Sequence, residues 1–287
     1  MMKSASLPGI RAALSGHIAA RDLKDRSRKT LESTVNSMCR HAGGFDLPVA
    51  EITADWLNGW LAAMTSGERT KIKHRGNALT LLRAAADAGW CPEPVARKVR
   101  KPRRPKPKPS AWSLDQLRRI RDAADDLDGV IRRHGTAVPA CIYWGCLIRL
   151  AYETGLRRGN LFALRQSDVT DAGLIYVRHE KTGEPHLCSL SPHTLALLRR
   201  LPGECPLRWA DSRSFYRRWR RICTAAGVPY GALHRCRKTA ATQVWLEDQS
   251  NPTRVQQFLG HLTPEMWRHY VDRSQGGDRP PQPPELD

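Results

Sequence analysis

Three short segments of the sequence concentrate cationic and nucleophilic side chains. Arg157 lies in TGLRRGNL, His234 and Arg237 lie in LHRCRKT, and His261 is followed nine residues later by Tyr270. The three-residue spacing of His234 and Arg237 places both on one side of a helix. Each segment alone is weak evidence, because an HxxR pair is common by chance in a chain with 36 arginines.

These side-chain types suit cleavage of a phosphodiester without a metal. Two guanidinium groups can bracket the nonbridging oxygens, where negative charge develops, and His261 can add a third donor. The hydroxyl of Tyr270 can attack phosphorus if nearby cations favour the phenolate, since a phenol ordinarily ionises near pH ~10. This chemistry needs no ATP, nicotinamide or metal, so we predict no cofactor.

Helices and a hairpin must position these residues. Ser113 and Gln116 match a capping box, and an apolar helix is predicted from Val138 through Ile148, ahead of the Arg157 segment. Strand-like runs at 174–177 and 186–190 flank a turn-like Lys-Thr-Gly-Glu, which predicts a hairpin. Further helices are predicted to begin at the proline-containing caps at 191, 251 and 263, the last of them carrying Tyr270.

The chain is predicted to contain two domains joined by a basic connector. Apolar residues at helical spacing indicate a small helical domain of about four helices over 1–95. Segment 96–110 has eight basic residues, four prolines and no acidic residue, which favours an extended backbone. A catalytic domain is predicted over 111–274, followed by a disordered tail over 275–287 that is rich in Gly and Pro.

The charge of the chain indicates a polyanionic partner. The net charge is +19, and most of the basic excess is arginine, which grips phosphate with two hydrogen bonds. A charge that serves only solubility is the plain alternative, although acidic residues serve solubility better. No apolar run approaches the roughly 18 residues of a membrane helix. The eight cysteines show no zinc-like spacing, so we expect reduced thiols in a soluble intracellular protein.

Taken together and in order, the segments resemble the tyrosine recombinase (phage integrase) family of the simple two-domain type. The likeness covers essentially 111–273 and rests on TGLRRGNL with Arg157, EKTGEPHLCSL with Lys181, LHRCRKTAAT with His234 and Arg237, FLGH with His261, and WRHYV with Tyr270. It implies a mainly α fold with a small β-hairpin in an integrase-like catalytic domain. The preceding helical domain would be the family's core-binding domain.

The resemblance also implies roles for these residues and for the protein. Tyr270 would form a 3′-phosphotyrosyl bond, His234 would assist proton movement at the tyrosine, and Lys181 would donate a proton to the departing 5′ oxygen. We expect a site-specific recombinase that acts on double-stranded DNA in the integration of a mobile genetic element. It would be a monomer in free solution and a homotetramer clamped on two DNA sites, cytoplasmic and nucleoid-associated, with no membrane partner.

Two features depart from the family pattern. Asn160 stands where the family often has an acidic residue, and an asparagine carbonyl would hold Arg157 less strongly than a carboxylate would. The residues after Tyr270 are rich in Gly and Pro, whereas many family members continue with a helix that docks on a neighbouring protomer. We therefore expect any exchange between subunits to use an extended peptide, and we expect no additional N-terminal arm-binding domain.

Other functions remain open at this point. A recombinase-like protein that has lost catalysis would bind DNA without forming an adduct, and a topoisomerase of the same chemistry would relax any plasmid. A metal-dependent nuclease could use His234, His261 and His269, although no clustered carboxylates accompany them.

Overall fold

A computed structural model describes most of the chain: residues 8–94, 96–103, 110–133, 135–178, 185–260 and 268–271. The chain divides into two compact units, Met1–Pro107 and Lys108–Asp287. The described residues are mostly helical, with two small antiparallel sheets. This confirms the predicted fold class, mainly α with a small β-hairpin.

The described part of the first unit contains four α-helices around one apolar core: α1 (Ile10–Ala19), α2 (Asp25–His41), α3 (Ala54–Ala63) and α4 (Glu68–Asp87). The core includes Trp60, which is 1% exposed and packs among leucine and valine side chains from several of these helices. Helix α4 ends just before Gly89, which adopts a left-handed φ of 75°. The number of helices agrees with the sequence prediction.

The first residues of the predicted connector pack against the first unit. The side chain of Arg75 donates hydrogen bonds to the carbonyl oxygens of Ala96 at 2.7 Å and of Val99 at 3.0 Å. Val99 is itself buried in the first core. Residues 96–98 form a short 3-10 helix, because the closely spaced prolines begin only at Pro102 and do not constrain the backbone before it.

The described part of the second unit contains seven helices and four short strands. The helices are α5 (Leu114–Asp125), α6 (Ala140–Glu153), α7 (Arg158–Ala163), α8 (Pro192–Arg199), α9 (Ser212–Ala225), α10 (His234–Glu247) and α11 (Pro252–Leu259). The strands are β1 (Val130–Arg133), β2 (Thr136–Pro139), β3 (Leu174–Arg178) and β4 (Pro185–Ser189). Helix α6 is buried over most of its surface and contacts α5, α8 and α10, so it forms the centre of this unit.

Local side-chain chemistry sets several helix starts. Ser113 and Gln116 form the predicted capping box at the start of α5. Ser191 caps α8 and is followed by Pro192 at the first helical position, also as predicted. Asp211 accepts hydrogen bonds from two backbone amides at the start of α9. These caps satisfy amide groups that no residue within the helix can reach.

The prediction of a helix beginning at Val138 is wrong. Val138 lies in β2, where it pairs with Ile131 of β1, and α6 begins only at Ala140, after Pro139. Both Val138 and Ile131 are buried, so the apolar residue that extends the helical pattern belongs to the core-facing side of a sheet. Gly135, with a φ of 78°, allows the chain to reverse between the strands.

The predicted hairpin is formed by β3 and β4. These strands are antiparallel, with Ile175 opposite Cys188 and Arg178 opposite Pro185 at the last described pair. The connecting segment 179–184, which contains Lys181, lies outside the described residues. The predicted helix start at 263–264 and the predicted disordered tail over 275–287 also lie outside them.

Two further observations bear on the class of protein. Within the described ranges, none of the helices combines the length and the apolarity that crossing a membrane would require. All eight cysteines are free thiols, and five of them are buried.

Candidate active site

The Arg157 segment forms a tight turn between α6 and α7, which we call the arginine turn (residues 154–157). Thr154 is fully buried at the end of α6, where its hydroxyl donates to the carbonyl of Leu150 at 2.7 Å and accepts from the amide of Leu156 at 3.2 Å. Gly155 has a φ of 59°, a left-handed conformation that favours glycine. Arg157 is partly exposed and forms the N-cap of α7.

The arginine turn packs closely against α11. A Cβ atom added to Gly155 would lie 2.7 Å from a ring carbon of Phe258, which is closer than such contacts occur. The turn therefore requires glycine at this position for two reasons, its backbone angle and the neighbouring ring.

Arg237 lies beneath this turn and is held by backbone carbonyls. It is on the first turn of α10 and is 1% exposed. One terminal nitrogen donates to the carbonyl oxygen of Gly155, and the other donates to that of Leu259 at 2.9 Å. The guanidinium thus joins the arginine turn, α10 and the end of α11.

Tyr270 packs against Arg237. The guanidinium carbon lies 4.9 Å from the centre of the tyrosine ring, and the guanidinium also donates a hydrogen bond to the hydroxyl. Tyr270 is 8% exposed, within a small apolar cluster that includes Val255, Leu259 and Val271. The structure therefore places the predicted nucleophile and one predicted phosphate-binding arginine in contact.

His234 completes this group from the start of α10. Its ring centre lies 5.4 Å from that of Tyr270, in an edge-to-face arrangement. Burial and, to a smaller extent, the positive charges of Arg237, Lys238 and Arg157 together lower the pKa of His234 to about 4. The imidazole is therefore neutral at physiological pH and can accept a proton.

The site is a small region of strong positive charge in a largely buried setting. Burial lowers the pKa of Arg237 to about 10, with Tyr270 opposing the shift and Arg157 adding to it. Arg237 nevertheless stays protonated at neutral pH. A charged donor that is partly stripped of water can stabilise negative charge that develops on a phosphate.

The remaining predicted residues do not belong to the contact group of Arg237, Tyr270 and His234 that the structure describes. Lys181 and His261 lie outside the described residues, although Gly260, immediately before His261, ends α11 with a φ of 58°. The amide nitrogen of Asn160 donates to the backbone carbonyl of Arg178 in β3 at 3.3 Å, so Asn160 links α7 to the hairpin. His269 is exposed, and no group of three His, Cys, Asp or Glu side chains suited to a metal occurs in the part of the chain that the structure describes.

One buried polar residue beside this group was not predicted. His186, on β4, is 6% exposed and donates a hydrogen bond to the backbone carbonyl of Thr154. Its pKa is lowered by burial and by the charges of Arg237 and Arg157. The signal in the sequence is its place in the strand, since His186 alternates with the exposed Pro185 and Leu187 and so occupies an inward position.

Comparisons with known proteins bear on the family and the fold of the chain. The sequence profile of the Phage integrase family matches residues 113–276, which is more than half of the chain. A search of curated proteins found no significant match.

Several solved structures share the fold. A lambda integrase (75–356) dimer bound to a COC′ core site has 21% identity and a TM-score of 0.74, covering 96% of this chain and 99% of that one. A lambda integrase tetramer bound to a Holliday junction has 21% identity and a TM-score of 0.73, covering 99% and 82%. The XerH site-specific recombinase, in a post-cleavage complex with a palindromic difH substrate, has 16% identity and a TM-score of 0.68, covering 88% and 77%.

Proposed function

Because this chain belongs to the phage integrase family, we propose that it is a site-specific tyrosine recombinase that cuts and rejoins double-stranded DNA. The observation that carries the proposal is the contact of Tyr270 with the buried guanidinium of Arg237, with His234 beside the ring. A nucleophile, a fixed cationic donor and a neutral histidine are thereby in contact within one chain.

Cleavage would proceed by direct attack of the tyrosine on the DNA backbone. The hydroxyl oxygen of Tyr270 forms a bond to phosphorus, and the bond from phosphorus to the 5′ oxygen breaks. His234 accepts the phenol proton, while Lys181 gives a proton to the departing oxygen, leaving a 5′ hydroxyl and a 3′-phosphotyrosyl end. Arg157, Arg237 and His261 donate to the nonbridging oxygens as charge develops there.

Rejoining would reverse this step with a different strand. The phosphotyrosyl bond retains the energy of the broken ester, so a 5′ hydroxyl from a partner strand can attack it and release Tyr270. The atoms and charges balance without a nucleotide or a metal, so we propose that neither is required.

DNA binding is supported by the distribution of charge as well as by the family. One side of α9 is buried through Phe215, Trp219 and Ile222, whereas its exposed side carries five arginines: Arg213, Arg217, Arg218, Arg220 and Arg221. A net charge of +19 adds a general attraction to polyanions. We propose that both units bind the duplex, the first as a core-binding domain and the second as the catalytic domain.

The assembly proposed for this chain is a homotetramer on two DNA sites, formed from monomers that are separate in free solution. One structure of the same fold is a tetramer on a Holliday junction, which supports this assembly. Such an enzyme would work in the cytoplasm, at the nucleoid.

The decisive experiment traps the covalent intermediate. Nicked suicide substrates are prepared from the genomic DNA that flanks the gene and incubated with protein in EDTA, and the modified residue is identified by mass spectrometry. We expect an adduct at Tyr270. The Tyr270→Phe variant keeps the packed ring and loses the adduct, whereas Tyr176→Phe, at a site that is 68% exposed, keeps it.

The alternatives give different results in the same assay. DNA binding without any adduct would indicate a catalytically inactive DNA-binding protein. Relaxation of every plasmid regardless of sequence would indicate a topoisomerase, and DNA breakage that survives Tyr270→Phe but stops in EDTA would indicate a metal-dependent nuclease.

The salt dependence of binding tests the proposed interface. If six to ten phosphates are neutralised, DNA affinity falls by about 10³–10⁵ between 50 and 200 mM salt. Fluorescence anisotropy with labelled duplex measures this, and a flat profile would contradict an interface built on phosphate contacts.

A further inference from the structure

Arg158, the first residue of α7, is a half-buried cation that packs on aromatic rings. Its guanidinium carbon lies 5.1 Å from the centre of the Tyr216 ring, on α9, and 5.6 Å from that of the Phe162 ring, on its own helix. It also donates a hydrogen bond to the hydroxyl of Ser212 at 3.3 Å. A planar guanidinium can stack on rings while the N–H groups at its edge stay available to an acceptor. The side chain of Arg158 is therefore held beside the start of α9.

The rings that support Arg158 are themselves held by the core. Phe215 is fully buried, and the centre of its ring lies 5.2 Å from those of Phe162 and Tyr216, edge to face in both cases. Phe215 in turn packs against Trp144 of the central helix α6, with the ring centres 5.2 Å apart. The packing therefore orders the guanidinium of Arg158 before any ligand arrives, which lowers the entropic cost of binding one.

Most of the hydrogen-bonding capacity of Arg158 is unused. Within the described ranges the bond to Ser212 is its only hydrogen bond, and no ion pair between described residues includes it. The remaining N–H groups can hold one anion with two parallel hydrogen bonds. A positive charge at the start of a helix gains nothing from the helix dipole, which is positive at that end. The stability of α7 thus does not account for the charge.

The neighbours of Arg158 are also cations. Arg157 precedes it at the arginine turn, and Arg213 and Arg217 directly follow the two α9 residues that it contacts. The acid at this end of α9 is Asp211, whose carboxylate interacts with Arg213 and accepts hydrogen bonds from two backbone amides. Positive charges that are held close together repel one another unless an anion lies among them. The cations extend from the arginine turn to α9, so they fit an anion long enough to reach both.

We infer that Arg158 is a DNA-binding residue, whose guanidinium donates to a backbone phosphate between the candidate site and the arginine side of α9. The inference rests on the proposed function, in which the polyanion is double-stranded DNA. This phosphate is not the one that reacts, so Arg158 takes no part in the bond changes. Tyr216 is a positioning residue in this account, because it acts only by holding the guanidinium in place.

The test measures DNA affinity as a function of salt, with the full chain and a labelled duplex of mixed sequence. Each phosphate that a cation neutralises contributes about 0.9 to the slope of log affinity against log salt concentration. Fluorescence anisotropy compares wild type with Arg158→Gln, Arg158→Lys and Tyr216→Leu. The matched control is Arg119→Gln, which removes the same charge from a side chain that is 47% exposed and lies 3.3 Å from the carboxylate of Asp115.

We expect Arg158→Gln to bind about tenfold more weakly at low salt and to reduce the slope by about one. Arg158→Lys keeps the charge, so it should keep the slope and bind within about threefold of wild type. Tyr216→Leu should also keep the slope but lose about two- to fivefold in affinity, because the charge remains and its support is lost. Tyr216→Leu should have no further effect in the Arg158→Gln background, since the two residues act through one contact. Arg119→Gln should leave the slope unchanged.

An unchanged slope for Arg158→Gln would overturn the inference. An equal reduction by Arg119→Gln would also overturn it, because the effect would then be one of net charge. If Arg158→Gln does not fold, as judged by circular dichroism, the decision passes to Tyr216→Leu, and an unchanged affinity for that variant would overturn the inference.

Failure of the proposed function gives a different result. If wild type has no affinity for duplex DNA, the proposed function and the inference fail together. If wild type binds and shows the expected slopes but forms no adduct at Tyr270, the recombinase is refuted and the DNA contact of Arg158 is supported.

Discussion

The two arginines of the candidate site are held in different ways. Arg237, on α10, is 1% exposed and is fixed by the carbonyls of Gly155 and Leu259. Arg157, at the arginine turn, is partly exposed and forms the N-cap of α7. The first is therefore part of the packed interior as well as of the candidate site, whereas the second reaches the surface of the unit.

The same contrast extends to their surroundings. The α10 region depends on the buried side chains of Arg237 and Tyr270 and on the half-buried ring of His234, which contact one another. The arginine turn depends on a glycine backbone angle and on the ring of Phe258 beside it. A substitution in the α10 region should lower stability and activity together. A substitution at Arg157 should lower activity and leave stability nearly unchanged.

The largest effect is expected from Arg237→Leu. Two buried carbonyls would lose their donor, at about 1–3 kcal/mol each, so the free energy of unfolding should fall by about 2–6 kcal/mol. Loss of the guanidinium should also slow adduct formation by at least ~10²-fold. Urea unfolding and single-turnover cleavage measure the two quantities, and a variant of unchanged stability would contradict the structural role of Arg237.

Arg157→Leu should lose nearly as much activity as Arg237→Leu but keep most of the stability of wild type. Adduct formation should again fall by about 10²–10³-fold, because a donor to the phosphate is lost. The free energy of unfolding should change by less than about 1 kcal/mol, since the side chain is partly exposed. The same two measurements apply, and a loss of stability equal to that of Arg237→Leu would remove the distinction between the two regions.

Gly155→Ala tests the backbone of the arginine turn. The left-handed angle costs about 1–2 kcal/mol for a residue with a Cβ, and contact with the Phe258 ring adds to it. In the double variant Gly155→Ala/Phe258→Leu the contact is relieved and the cost of the angle remains. Urea unfolding of both variants should therefore show partial recovery, and full recovery would show that the backbone angle carries no strain.

The smallest effect is a dependence of stability on pH in the α10 region. The pKa of His234 in the folded protein, about 4, lies below its ordinary value of 6.5. Its contribution to stability is therefore complete above pH 6.5 and is lost as the pH falls toward 4. That contribution is roughly 1–3 kcal/mol.

The comparison that isolates this contribution is wild type against His234→Gln. Between pH 7 and pH 4.5, wild type should lose more unfolding free energy in urea than the variant does. An NMR titration in which the His234 ring protonates near pH 6.5 would refute the buried environment described for it.

The sequence predicted those features that depend on residues close together in the chain. The caps at Ser113 and Ser191 and the shared helix of His234 and Arg237 follow from residues within a few positions of one another. The contact between Arg237 and Tyr270 could be expected only from the family resemblance, because no short-range pattern relates these two residues.

Features that depend on distant partners were missed. Val138 continues a helical pattern by its spacing, and only its pairing with Ile131 shows that it belongs to a strand. His186 stands in an unremarkable alternating run, and its partner, the carbonyl of Thr154, is 32 positions away and bears no side-chain signal. A backbone carbonyl that accepts a hydrogen bond leaves no signal in the sequence, because every residue has one.

The bond between Arg237 and Gly155 also has a consequence for folding. It joins residues 82 positions apart in the chain, so it forms only after a long loop has closed, whereas single helices form from local contacts. We therefore expect the helices of the second unit to appear before the pocket does. An unfinished or partly folded chain would then hold DNA by its charge alone, without a nucleophile in place to cut it.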